Sequence, residues 1–176
     1  MHYCIIGNGV AAVAAVERLR EVDPQGSVTL ISDEPYPFYS RPLISYLVAG
    51  EVTEERLWLR PGDFYDRLGV KAMLGVRAQR VEAAERRVHL SDGSTLTYDR
   101  LLVACGGRPI VPAIEGCEAS GVFTFTTLEE ARRLDAYLRE RRPRRAVVLG
   151  AGLIGLKTAE ALIARGLEVT LAELAG

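Results

Sequence analysis

Apolar and polar positions along the chain fall into one arrangement that occurs twice. A short apolar run leads into a glycine-rich turn, an Ala/Leu-rich stretch with helical periodicity, a second apolar run, and an acidic residue at its end. The first copy runs from Tyr3-Cys4-Ile5-Ile6 through Gly7-Asn8-Gly9-Val10-Ala11-Ala12 into a helix ending near Arg20. Val28-Thr29-Leu30-Ile31 and Ser32-Asp33-Glu34 follow. The second starts at Ala146-Val147-Val148-Leu149 and passes through Gly150-Ala151-Gly152-Leu153-Ile154-Gly155. Its helix reaches about Arg165, and its second strand, Glu168 to Ala172, meets Glu173.

Between the copies, Tyr36-Pro37-Phe38-Tyr39-Ser40-Arg41-Pro42 is an aromatic loop in which two prolines forbid regular helix. Short helices are expected from Leu43 to Ala49 and from Pro61 to Leu68, the latter opened by proline. From Val70 to Leu96 the pattern changes to short strands of alternating polarity. Asp92-Gly93 forms a tight turn between Val88-His89-Leu90 and Thr95-Leu96-Thr97, so a small antiparallel meander is expected. Leu101-Leu102-Val103-Ala104 reads as a buried strand running into Cys105-Gly106-Gly107-Arg108-Pro109. A Pro- and Gly-bearing connection to about Gly121 holds the expected domain junction. Thr127 then caps a polar helix reaching roughly Arg139.

The fold class is therefore α/β, with two Rossmann-like dinucleotide-binding units. The first carries the antiparallel meander, and the second is a truncated strand–helix–strand. Each glycine turn lies where a parallel strand hands over to a helix, so backbone amides face outward at the positive end of the helix dipole, where a pyrophosphate fits. Gly7 and Gly150 permit the tight reversal, and Gly9 and Gly152 let the backbone approach phosphate. Ala12 and Gly155 allow close helix-to-strand packing. Carboxylates beyond the second strand, Asp33 or Glu34 in the first copy and Glu173 in the second, can accept from ribose hydroxyls. A carboxylate there repels a 2′-phosphate and so favours NAD over NADP.

Composition narrows the picture by exclusion. The 176 residues carry 22 basic and 23 acidic side chains, a formal charge of −1 that supplies no field for nucleic acid or an anionic membrane. With 48% apolar residues a packed core is expected and disorder is not. Tyr3 to Val16 is too short to span a bilayer and lacks a basic residue ahead of a signal-like core, so a cytoplasmic protein is expected. The three cysteines, Cys4, Cys105 and Cys117, form neither a disulfide framework nor a close redox pair nor a zinc site. Arg139, Arg141, Arg142, Arg144 and Arg145 read as a solvated helix end and linker; docking of an acidic electron carrier and a nucleic-acid patch are the functional alternatives. His2 and His89 are not convincing general bases, and no tyrosine has lysine four positions on.

These residues resemble, over essentially the whole chain, the two-dinucleotide-binding flavoproteins of the pyridine nucleotide-disulfide oxidoreductase superfamily. The resemblance implies an FAD-binding domain over 1–110 and an NAD-binding domain over 111–176, incomplete at its C-terminal end. It places Gly7, Asn8, Gly9, Val10, Ala11 and Ala12 on the FAD pyrophosphate, Asp33 or Glu34 on the adenosine ribose, and Arg41 and Pro42 in the flavin-side loop. Ala78 would face adenine, and Ala104, Cys105 and Gly106 would lie along the cofactor. Gly150, Gly152, Leu153, Ile154, Gly155 and Glu173 would hold NAD. Tyr39 to Tyr46 contains no cysteine, so disulfide exchange lacks its nucleophile. The segment looks more like reductases serving rubredoxin or ferredoxin, or the flavin part of NADH-dependent nitrite reductase.

Two residues depart from that pattern. Lys157 stands where many relatives have glutamate, open to a phosphate contact, a carboxylate pair or plain solvation. Cys105 replaces threonine and is expected to be a small buried side chain. The implied activity is hydride transfer from NADH to flavin with electrons passed onward. The other reading is a dinucleotide-binding module, or a fragment, without turnover. No catalytic side chain is assigned, an oligomer is compatible with the pattern, and the length reads as the front of a larger flavoprotein.

Overall fold

The computed structural model describes residues 1–173, which divide into two compact units: residues 1–39 with 58–107, and residues 40–57 with the chain from 108 onward. In the first unit, β1 (His2–Ile6), β2 (Ser27–Ser32), β3 (Val70–Leu74) and β7 (Arg100–Val103) form a parallel sheet in the order β3-β2-β1-β7. The register pairs Ile5 with Leu30 on one side and with Leu102 on the other. Helix α1 (Val10–Val22) connects β1 to β2, and the single turn α3 (Phe64–Arg67) precedes β3. The meander is β4 (Ala78–Glu82), β5 (Arg87–Leu90) and β6 (Thr95–Thr97), closed at Gly93 with φ +84° and a Leu90 N–H to Ser94 carbonyl bond of 3.0 Å.

Side-chain alternation along β1 explains why nearly every residue in it is apolar. Ile5 packs with Ala12 and Val16 of α1, with Leu30 and Val70, and with Tyr65 of α3. Its neighbours Cys4 and Ile6 point the other way, against Ile31 and the meander residues Val88 and Leu90. A central strand covered on both faces has no solvent-facing register in which a polar residue would be favoured.

Val70–Leu74 departs from the expected meander: it pairs parallel with β2, Val70 against Val28 through Leu74 against Ser32. Val-Lys-Ala-Met-Leu has one polar position, and as the edge of the parallel sheet it leaves Lys71 exposed while Val70 is buried against α1 and α3.

In the second unit, β8 (Arg145–Leu149) and β9 (Glu168–Ala172) pair in parallel around α5 (Leu153–Ala164). Helix α4 (Leu128–Arg141) buries Leu128, Ala131, Leu134 and Leu138, one stripe at helical spacing. Its start is a complete capping box: the Thr127 hydroxyl accepts from the Glu130 N–H, and the Glu130 carboxylate accepts from the Thr127 N–H at 2.9 Å. It ends at Arg142, which takes the left-handed conformation at φ 46°.

Residues 40–57, which interrupt the first unit in sequence, belong to this second one. Their helix α2 (Ile44–Ala49) packs against α4 and α5. Arg132 of α4 holds Glu54 through two N–H donors, Arg165 donates to the Val48 carbonyl at 2.8 Å, and Arg41 donates to the Thr126 carbonyl at 2.8 Å.

Candidate functional site: two glycine turns

The first turn is built at the carboxyl ends of the parallel strands. The Gly7 N–H donates to the Ile31 carbonyl at 2.8 Å, and the Ala104 N–H to the Ile6 carbonyl at 2.7 Å. Gly7 has φ +119°, and a Cβ there would stand 2.1 Å from the Ala104 carbonyl oxygen, so this position excludes any side chain twice over. Gly9 is different: its φ is −90°, and a Cβ would meet nothing within 4 Å. The chain's own packing does not require glycine at Gly9, and the space a side chain would take stays open. Gly9 is also the N-cap of α1, which has no side-chain cap and no acidic residue in its first turn. Its first amides therefore keep their hydrogen-bonding capacity for an anion. Val10 and Ala11 beside it are exposed, while Ala12 is fully buried against the strands, the packing position expected of it.

The second turn repeats this logic with the clash moved. Gly150, at φ +102°, donates to the Ala172 carbonyl at 2.8 Å. A Cβ on Gly155 would stand 1.9 Å from the Gly150 carbonyl oxygen, so here the third glycine is the one demanded by packing. Gly152, the uncapped start of α5, again opens onto space with nothing within 4 Å of a Cβ. Leu153 and Ile154 are exposed, and the Glu173 carboxylate accepts from the Ala151 N–H at 2.6 Å, which sets this acid directly on the turn.

At the end of β2, both acids are engaged. Asp33 pairs with Arg77 at 3.2 Å, and Glu34 accepts from the Tyr39 hydroxyl at 3.2 Å. Ala78 opens β4 opposite Leu90 and is half-buried. Arg41 and Pro42 fall in the second compact unit. Cys105 corrects the expectation of a buried side chain: it lies two residues beyond β7 and is exposed, with its Sγ 3.6 Å from the Ile6 carbonyl oxygen. By contrast Cys4 is fully buried, and desolvation pushes its thiol up to about 11.

Lys157 settles on carboxylate pairing, 2.6 Å from Glu160, with its ammonium 5.3 Å from the Tyr46 ring centre. The Glu160 hydrogen bond, then that of Tyr46, raises its pKa. Within the arginine run, Arg139 binds Asp135 at 2.8 Å. His89 is 2.8 Å from Glu82 and His2 3.0 Å from Thr29, both partners supplied by neighbouring strands.

Two contacts to candidate site residues had no local signal in the sequence. Arg77 reaches Asp33 across 44 residues, and Tyr65, 8% exposed, donates its hydroxyl to the Asn8 side chain across 57. Burial pushes the Tyr65 phenol above its ordinary value, with the Asn8 bond working against it. A cavity of about 450 Å³ near Gly26 and Gly69 is remote from this chemistry, and the Arg20 guanidinium lining it is taken up by the Leu68, Gly26 and Gly69 carbonyls. Among the described residues, no cluster of His, Cys, Asp and Glu could hold a metal, and no helix is long and apolar enough to cross a membrane.

Strand, glycine turn and uncapped helix, built twice with the same open central glycine, define a Rossmann-like dinucleotide-binding fold. The chain belongs to the pyridine nucleotide-disulphide oxidoreductase family, whose profile matches residues 1–176. That family works with FAD and NAD(H). The chain is 34% identical over 98% of its length to the epsilon subunit of NADH-dependent phenylglyoxylate dehydrogenase from Aromatoleum evansii, covering 40% of that protein. It is 33% identical over 97% of its length to the large subunit of nitrite reductase (NADH) from Escherichia coli, covering 20%. Among solved structures, putidaredoxin reductase in covalent complex with putidaredoxin matches with a TM-score of 0.85 and 32% identity, over 97% of this chain and 41% of that one. The chain thus spans well under half the length of these relatives.

Proposed function

We propose that this chain supplies the FAD site and part of the NADH site of an NADH-dependent flavoprotein reductase whose electrons pass to a small electron-carrier protein. The observation that carries the reading is the doubled turn whose central glycine, Gly9 or Gly152, faces open space while its partner glycine, Gly7 or Gly155, is forced by packing. Bound flavin supplies the chemistry of accepting hydride from the nicotinamide and releasing electrons onward.

The residues of the chain bind and orient. The Gly7–Ala12 turn and the first amides of α1 hold the FAD pyrophosphate, with Asp33 and Glu34 placed for its ribose. The Gly150–Gly155 turn and the start of α5 hold the NADH pyrophosphate. Glu173, fixed on the Ala151 amide, presents its carboxylate where a ribose diol is accepted and a 2′-phosphate repelled. Support for the electron carrier is the likeness to a reductase captured with putidaredoxin.

An absorbance spectrum of the purified chain reconstituted with FAD, taken anaerobically before and after NADH, tests the reading. Bound flavin bleached by NADH is the expected result. Flavin bound tightly yet never reduced would favour a binding module without turnover, and no flavin uptake by folded protein would sink the assignment of the first turn.

A further inference from the structure

We propose that Asn8 is a positioning residue. Its side chain ties the first glycine turn to the loop after β2 and to α3, so that the FAD site is formed before the cofactor arrives. The inference rests on the first turn being an FAD site and deepens that reading.

Asn8 lies between the two glycines of the turn, where a backbone amide is all that phosphate binding asks. Its side chain does something else: the Nδ2 amide donates to the Tyr36 carbonyl at 3.1 Å, and Oδ1 accepts from the Tyr65 hydroxyl. The orientation is dictated by the partners. The Tyr36 group is a carbonyl and only accepts, so the nitrogen must face it and the oxygen must face Tyr65. No other residue of this size offers one donor and one acceptor at those places. Aspartate lacks the donor, and alanine lacks both.

The two bonds join segments that the chain keeps 28 and 57 residues apart. Tyr36 stands between Pro35 and Pro37, so its loop is stiff and one anchored carbonyl fixes it over several residues. The same loop begins with Asp33 and Glu34, the ribose end of the site. Asn8 thereby couples the pyrophosphate half of the site to the ribose half. Tyr65 is buried in the core cluster with Ile5, Ala12 and Val16, which gives the coupling a rigid base. Backbone bonds and packing hold Gly7 at the head of the turn, and α1 has no side-chain cap, so Asn8 adds a side-chain tie between the turn and its neighbours. Ordering it in advance removes an entropy cost from binding.

FAD affinity is measured by flavin fluorescence and by the visible circular dichroism of the bound flavin, for wild type, Asn8→Ala, Asn8→Asp, Tyr65→Phe and the Asn8→Ala/Tyr65→Phe double variant. Far-ultraviolet dichroism reports folding, and the near-isosteric Asp and Phe variants keep the core intact. Asn8→Ala and Asn8→Asp are each expected to weaken FAD about tenfold and to alter the flavin dichroism. The double variant should be no weaker than Asn8→Ala alone, because both changes cut one relay. Wild-type affinity in Asn8→Asp, or losses in Asn8→Ala and Tyr65→Phe that multiply, overturns the proposal. If wild type itself takes no FAD, the cofactor reading fails and this proposal with it; if wild type binds FAD and both Asn8 variants match it, this proposal alone fails.

Discussion

Glycines that look alike in a motif divide here by what their missing side chain would strike. Gly7→Ala drives a methyl into the Ala104 carbonyl and imposes φ +119° on a residue with a Cβ. It should destabilise the chain by roughly 3 kcal/mol or more, seen as a fall in the urea midpoint. Gly9→Ala meets nothing, so its unfolding midpoint should stay within about 0.5 kcal/mol of wild type while FAD binding collapses. The same contrast separates the cysteines. At about pH 8 a maleimide should label Cys105 and spare Cys4, whose buried thiol is held near 11; labelling of Cys4 in native protein, read by mass spectrometry, would contradict its place in the core. Motif spacing made Gly7 and Gly155 legible in advance. It could not show Asn8 bonded to Tyr36 and Tyr65, because that depends on which distant segments the fold brings to the turn.

Helices and strands were legible where one face repeats at a single period, as in α4 with its capping box. Thr127→Ala should cost about 1 kcal/mol of stability. Glu130 adds a pH dependence whose sign follows from its surroundings. Burial acts to raise its pKa, but bonds from Thr124, Thr126 and Thr127 outweigh burial and hold it below the ordinary 4.5. The unfolded chain therefore takes up this proton first. The stabilisation is complete above 4.5 and is lost as pH falls through the lower folded value. Glu130→Gln should flatten the acid limb of a urea-midpoint profile, and an unchanged limb would argue against the cap. The strand Val70–Leu74 resisted sequence reading for the opposite reason: five residues with one exposed polar position, Lys71, fit the edge of a parallel sheet as well as a meander strand. Periodicity alone does not report the partner.

Over the whole chain, the two repeats announced two units, but no change of composition marks residues 40–57 as part of the second. Their membership is fixed by contacts that only folding creates, from α2 against α4 and α5 to the Arg132 clasp on Glu54. A fragment beginning at residue 108 would lack α2 and leave part of the α4 and α5 surfaces bare. We expect it to show poor amide dispersion by NMR, and adding a peptide of residues 40–57 should sharpen the spectrum. The backbone crosses between the units three times, at 39/40, 57/58 and 107/108. The consequence is one of inheritance: a single genetic break cannot lift either unit out intact. Recombination or engineering that exchanges the second unit between relatives must carry two separate stretches of gene together. Substitutions in α2 should therefore be tracked by compensating changes in α4 and α5 more than by changes in the sequence immediately around them.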